Sequence, residues 1–341
     1  MTRILAIESS CDETAAAVVD DRNDVLSSVI ASQVDVHRVY GGVVPEIAAR
    51  RHVEAVRPVV SRALDEANAG FASVDAVAVT QGPGLIGSLL VGVCAAKAIA
   101  WRHDLPLIAI NHLEGHIRSA FIEDPEIEFP ALALVVSGGH TSLYLCPKEG
   151  EYRRIARTRD DAAGEAFDKV ARLLGLGYPG GPEIERVAEG ADASAHAFPH
   201  AQMKDGSLDF SFSGLKTAVR RMAQKRGLAH PEVTGGEASV EVRDMAASFQ
   251  RAVVRVLVRR SMTACKRERV KSLLLTGGVA CNRQLREAFR RACERDGPMF
   301  YAAAPRYTTD NAAMIAAAAF LHYERRDFAP LTINASPNLP L

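Results

Sequence analysis

The chain has 341 residues, 48% apolar and 24% charged, so it is too long for one ordinary compact core and too apolar to be disordered or fibrous; two globular lobes are expected. Its 41 Lys and Arg balance 41 Asp and Glu, which excludes an overall basic coat for nucleic acid and leaves room only for local basic patches. Six cysteines without a CxxC pair fit reduced thiols in a cytosol better than a disulfide framework or a zinc knuckle.

The opening MTRILAIESSCDE runs straight into a strand pattern, with neither the apolar region of a secretory signal nor an Arg-rich transit helix. No segment has the apolar length of a membrane span, so a cytoplasmic enzyme is expected. RILAIESSCDETAAAVV (3–19) reads as a hairpin, two β-rich apolar runs about a small polar turn. A helix over 45–68, the strand DAVAVT (75–80), the turn QGPGLIGS and an Ala-rich helix over 88–101 follow, and LPLIAI gives a further strand that ends at NHLEGH. Acidic, Pro-bearing EDPEIEFP (123–130) marks a boundary between an N-terminal lobe over 1–125 and a C-terminal lobe over 126–341, the second with inserted helices and loops.

ALALVVSGGHTSLYL (131–145) repeats the hairpin, one for each half of a duplicated α/β fold. DDAAGEAFDKVARLLG (160–175) reads as a helix with Asp160 or Asp161 near its start, and YPGGPEIE (178–185) as a rigid turn carrying Glu183 and Glu185. ADASAHAFPHAQMKDGS and GLAHPEVTGGE read as exposed loops. SLLLTGGVACN (272–282) is a strand and a Gly-Gly turn ahead of the helix NRQLREAFRRACE, TTDNAAMIAAAA (308–319) opens a helix at Asp310, and 328–341 is irregular.

His112 and His116 stand four apart after a strand. On a helix their imidazoles point the same way one turn apart, as a metal requires of two ligands on one element, and the carboxyl end of a strand is where α/β folds place ligands. The zinc-protease patterns fail, because Glu114 sits in the middle of H-L-E-G-H and would point away from the histidine face. The glycines of SGGHT (137–141) and TGGVACN (276–282) let backbone N–H groups approach an anion, and Asn282 can hydrogen-bond a base or ribose. With QGPGLIGS these turns suggest a nucleotide-phosphate cleft lined by backbone donors. Arg251, Arg255 and Arg259 share one helical face, either a solvated surface or a phosphate-tracking stripe for RNA.

Taken in order, ESSCDET, YGGVVPEIAARRH, GPGLIGSLLVG, NHLEGH, VSGGHT, DDAAGEAFDK, YPGGP, FSFSGLKTA, TGGVACN and TDNAAMI closely resemble the tRNA N6-adenosine threonylcarbamoyltransferase family in its bacterial form, once called O-sialoglycoprotein endopeptidase. The resemblance covers about residues 3–320. It implies an α/β fold of the actin-like and sugar-kinase-like ATPase class, two duplicated ribonuclease-H-like domains around a nucleotide cleft. It implies one divalent metal on His112, His116 and Asp310, usually described as Fe(2+), with Zn(2+) as the alternative. It further implies threonylcarbamoyl-adenylate bound by Val135, Val136, Ser137, Gly138 and Gly139 with Asp168, Gly181, Glu185 and Asn282; many relatives carry Asp where this chain has Glu185.

In that family the N6 amine of the adenosine just 3′ of the anticodon, in tRNAs reading ANN codons, attacks the carbamoyl carbon and AMP leaves. His140, beside the phosphate turn, is the candidate base. The implied partners are tRNA, a smaller paralogous subunit and a small P-loop ATPase, with no membrane. The rival is a small-molecule kinase of the same superfold with Asp12 or Glu13 as base, disfavoured because Mg²⁺ prefers oxygen ligands to a histidine pair. Arg50, Arg51 and His52 are read as facing RNA or a partner.

Overall fold

The structure is a computed structural model that describes residues 1–21, 23–199, 203, 205–228 and 238–341. The chain forms two compact units, one of residues 1–37, 43–127 and 303–341, the other of 38–42 and 128–302.

In the first unit the strands β1 (Arg3–Glu8), β2 (Glu13–Asp20) and β3 (Asp24–Ser32) run antiparallel as a meander. A short α1 (Val34–Arg38) and the long α2 (Pro45–Glu66) lead to β4 (Ala76–Gly82), α3 (Ile86–His103), β5 (Leu107–Asn111) and α4 (His112–Arg118). β4 lies parallel to β1 and β5 parallel to β4, giving the order β3-β2-β1-β4-β5. The apolar run of β1 is continuous because both faces of the sheet are covered. Ile4 and Ala6 belong to one buried cluster, and Leu5 and Ile7 to another that includes Val59, Val60 and Val93 of α2 and α3.

The second unit repeats the plan. β6 (Ala131–Val136), β7 (Thr141–Cys146) and β8 (Arg153–Arg157) form an antiparallel meander. Then come α5 (Ala163–Leu173), α6 (Gly180–Ala188), α7 (Ser213–Lys225), α8 (Val240–Glu268), β9 (Ser272–Thr276), α9 (Arg283–Asp296) and β10 (Met299–Ala302). β9 is parallel to β6 and β10 to β9, so the order β8-β7-β6-β9-β10 matches the first sheet strand for strand. The expected duplication is therefore present, and both predicted hairpins form.

The expected division at 125/126 does not hold for the last part of the chain. α10 (Pro305–Thr308) and α11 (Ala312–Arg325) return to the first unit. Ala312, Ala313 and Ala316–Ala319 are buried with Ile4, Ala15, Ala17, Ala76 and Ala78 of the first sheet. Small side chains on both surfaces let helix and sheet approach closely, and a helix buried all round shows no periodic stripe that would have told which sheet it covers.

The irregular tail after α11 is tied down by hydrogen bonds, Ser336 N to Gln81 O at 2.8 Å and Gln81 Nε2 to Asn334 O at 3.0 Å. The two expected loops lie partly outside the described residues, at 200–202, 204 and 229–237. Among the described residues no helix is long and apolar enough to cross a membrane.

His322 of α11 is held between Glu114 of α4, Nε2 to Oε2 3.2 Å, and Asp327, Nδ1 to Oδ2 2.9 Å. The Glu114 contact first, then Asp327, outweighs burial and raises the imidazole above its ordinary value. A raised folded-state value means that the stabilisation is complete below the unfolded value of about 6.5 and is lost as pH rises through the folded one. The gap in urea midpoint between the parent and His322→Gln should therefore be widest below pH about 6.5 and narrow on the alkaline side. A gap that does not change with pH would leave His322 a packing role alone.

Candidate metal centre and ligand cradle

α4 begins where β5 ends. Asn111 caps it, Oδ1 accepting from Leu113 N at 2.9 Å, while Asn111 Nδ2 donates to the tail carbonyls of Pro340 at 3.1 Å and Leu339 at 3.3 Å. Gly115 lets α4 pack on α11, since a Cβ there would lie 2.7 Å from Ile315 Cδ1. These constraints set His112 and His116 on one buried face, ring centroids 4.6 Å apart and nearly perpendicular. Glu114 turns the other way, to His322, as its position in the motif implied.

Asp310 completes the group. Asn311 takes the N-cap of α11, Oδ1 accepting from Met314 N at 2.9 Å, so Asp310 is not the cap residue. Its Oδ1 lies 3.3 Å from His116 Nε2 and 3.5 Å from His112 Nε2. One ligand atom from each of the three residues falls within 4.8 Å of the others. Nδ1 of His116 is buried without a hydrogen-bond partner, and Nε2 makes no well-aligned hydrogen bond although Asp310 Oδ1 stands 3.3 Å away. A buried polar atom left unpaired costs about 1–3 kcal/mol, and two imidazole nitrogens with one carboxylate oxygen form a donor set suited to iron or zinc. The residues therefore fit one divalent metal.

Burial disfavours charge on both imidazoles. At His112 the carboxylates of Asp310 and Glu8 overcome it and push the ring up to about 9. At His116 burial prevails and the ring falls below its ordinary value, leaving the neutral form that a metal requires. Glu13 is pushed up to about 10, by burial first and then by the charges of Asp12 and Asp310. Glu8 escaped the sequence reading; an acid closing an otherwise apolar buried strand was the available signal.

The expected adenylate residues all lie in the second unit and are linked by contacts. The β6–β7 turn is closed by Ser137 N to His140 O at 2.8 Å and His140 N to Ser137 Oγ at 3.2 Å, and it exposes Gly138 and Gly139. Ser137 O receives Gly164 N of α5 at 3.2 Å. Gly277, at φ +91°, packs where a Cβ would stand 2.4 Å from Val136 O. Asp168 Oδ1 accepts from Gly180 N at 2.7 Å, which joins α5 to α6, and Gly181 beside it faces open space.

Five details go beyond the sequence reading. Asn282 caps α9, with Oδ1 taking Leu285 N at 2.9 Å and Nδ2 reaching Gln250 Oε1 at 2.7 Å, so one lone pair and one N–H remain for a ligand. Glu185 accepts from Arg283 N at 2.7 Å and pairs with its guanidinium at 3.4 Å, an anchor at the start of α9. A 3₁₀ turn, Gly278–Cys281, separates the Gly-Gly turn from α9. His52 is buried, bonded to Thr14 Oγ1 at 2.7 Å and Cys11 O at 3.0 Å, so it faces the interior while Arg50 and Arg51 are exposed. Asp160 likewise does not cap α5 but accepts from Phe212 N at 2.8 Å ahead of α7.

The paired meander-and-crossover sheets define the class. HypF in its phosphate- and nucleotide-bound form superimposes with a TM-score of 0.63 at 15% identity, over 95% of this chain and 46% of that one. Component A of the Acidaminococcus fermentans (R)-2-hydroxyglutaryl-CoA dehydratase does so at 0.53 and 14%, over 96% of this chain and all of that one. At such identities the likeness establishes the fold, an α/β fold of the actin-like, sugar-kinase-like type.

The particular family follows from sequence. The family model described as tRNA N6-adenosine threonylcarbamoyltransferase matches residues 24–317. Proteins of that name from Moorella thermoacetica and Anaeromyxobacter sp. are 55% and 53% identical, over 100% and 98% of this chain and 97% and 98% of theirs. The chain belongs to the tRNA N6-adenosine threonylcarbamoyltransferase family; it is an acyltransferase of tRNA modification, and the kinase alternative is set aside.

If Asp310 is a ligand rather than a helix cap, Asp310→Ala should lower metal content about as much as His116→Ala, with little change in the thermal midpoint. Elemental analysis of the two purified variants decides this, and a normal metal content in Asp310→Ala removes that residue from the centre.

Proposed function

We propose that the protein transfers the threonylcarbamoyl group from threonylcarbamoyl-adenylate to the N6 amine of the adenosine just 3′ of the anticodon, in tRNAs that read ANN codons, with release of AMP. The observation that carries this reading is the His112–His116–Asp310 group, its two histidines buried, in a member of this family. His112, His116 and Asp310 would hold one divalent ion per subunit, Fe(2+) by preference and Zn(2+) as the alternative. Such an ion supplies Lewis acidity toward the carbamoyl oxygen.

The chain's own residues hold and orient the reactants. In this reading the adenylate contacts Val135, Val136 and Ser137, and its phosphate meets the backbone N–H groups of Gly138 and Gly139. A turn without side chains permits that close approach. Asp168, Gly181, Glu185 and Asn282 complete the adenylate site. Glu185 contributes chiefly by fixing Arg283 and the start of α9, given its bonds there. His140 is the candidate to accept the amine proton, standing at the end of the same turn.

tRNA is the macromolecular substrate, and α8 supports its binding. Arg251 and Arg255 are exposed one turn apart and, with His196 and Phe198, line a cavity of about 200 Å³, two cations beside an aromatic ring. Arg259 continues the exposed face. A smaller paralogous subunit and a small P-loop ATPase are the further partners; α3 offers an apolar face for one of them, with Ile86 49%, Leu90 41% and Trp101 75% exposed. The free cysteines support a cytoplasmic location.

Purified protein with these partners, the adenylate and unmodified ANN-decoding tRNA should yield N6-threonylcarbamoyladenosine on nucleoside mass spectrometry. Absence of product, where the Moorella relative succeeds in the same mixture, refutes the reading. Converting Arg251, Arg255 and Arg259 to Glu should weaken tRNA binding in filter assays and flatten its salt dependence while adenylate binding survives. Unchanged tRNA affinity would return this face to a solvated surface.

A further inference from the structure

Glu8 closes β1 with a side chain that is 0% exposed. A carboxylate buried this completely needs partners, because an isolated charge in an apolar strand is costly. It has them. Oε2 lies 3.0 Å from His112 Nδ1 and accepts from Thr80 Oγ1 at 2.6 Å, and Oε1 accepts from the backbone N–H of Ser10.

An ionised carboxylate has only lone pairs to offer, so the imidazole atom facing it must be an N–H. With the hydrogen on Nδ1, Nε2, which lies 3.5 Å from Asp310 Oδ1, is the nitrogen that would offer its lone pair to a cation held between the two. Ser10 Oγ, 3.2 Å from the same Nδ1, can donate or accept and does not by itself select a tautomer. Thr80 on β4 and Ser10 N in the β1–β2 turn brace the carboxylate from two sides, so it can set the plane of the ring as well as its tautomer.

We propose that Glu8 is a positioning residue of the metal centre, holding His112 in the Nδ1–H form with Nε2 as the ligating atom. Outer partners of this type orient a ligating imidazole, raise its basicity and typically change metal affinity or activity by about 10- to 100-fold when removed. The competing role is structural, a tie between β1, β4 and the turn, and it predicts lost stability with unchanged metal binding. The proposal rests on the metal reading of His112, His116 and Asp310, and the test separates the two.

The probe is Co²⁺ added to the metal-free full-length protein, with Kd from chelator competition and the visible d–d absorption as readouts. The parent should bind and His116→Ala should not. Glu8→Gln and Glu8→Ala should bind about 10- to 100-fold more weakly, with an altered d–d spectrum. Thr80→Val, which removes one brace and keeps the Glu8–His112 contact, should weaken Co²⁺ binding less than Glu8→Gln does. Parental affinity and spectrum in Glu8→Gln, with binding lost in His116→Ala, overturns the role of Glu8 alone. No Co²⁺ binding by the parent overturns both readings. Should the Glu8 variants fail to fold, ¹⁵N-histidine NMR of the zinc-loaded parent still decides: a proton on His112 Nδ1 supports the proposal, and a proton on Nε2 defeats it.

Discussion

The first unit is organised around a requirement that three buried ionisable side chains meet a fourth that is partly buried. Glu8, His112, His116 and Asp310 come from β1, from α4 and from the residue before the cap of α11. None is stable alone in such surroundings, since burial penalises each charge and only mutual attraction or a shared ligand offsets it. The rest of the unit makes that meeting feasible. Asn111 caps α4, Gly115 lets α4 lie against α11, and Asn311 takes over the capping that would otherwise occupy Asp310.

The two sheets share one strand order and place different residues at the same turn. In the first, Ser9–Asp12 joins β1 to β2 and is rich in acid and hydroxyl groups, with Ser10 N bonded to Glu8 and Leu85 N bonded to Ser10 O at 2.8 Å. In the second, Ser137–His140 joins β6 to β7 and is bare, with Gly138 and Gly139 exposing backbone. A tight turn at the end of paired strands is rigid whatever its sequence, so the fold supplies position and the turn residues supply function.

Polar residues that look like ligands in the sequence divide into two sorts in the structure. Asp160, Glu185 and Asn282 each give at least one polar atom to a helix start, Asn282 keeping one lone pair and one N–H, so they hold the frame whatever else they do. His112, His116 and Asp310 each direct one polar atom at the others, and Nδ1 of His116 has no hydrogen-bond partner, which is the mark of a site rather than a frame. Capping and ligation draw on the same residue types, so sequence pattern alone does not separate them.

The sequence by itself determined many of the elements and the twofold plan, although β3 and β8 were not read from it and 178–185, read as a turn, opens α6. The two hairpins, the strand DAVAVT, the Ala-rich helix after it and the spacing of His112 and His116 follow from local periodicity and turn chemistry, which act over a few residues and are therefore legible there. The motif order was enough to point to the family. Tertiary structure decided what lies far apart in the chain. It sent α11 back to the first sheet, it chose Asn311 over Asp310 as the cap, and it set Glu8 behind His112 across 104 residues of sequence. Such pairings depend on which surfaces pack against one another. A helix such as α11, buried on every side from Ala312 to Leu321, has no stripe to announce its partner, and a buried acid at a strand end gives no sign of which imidazole it will meet.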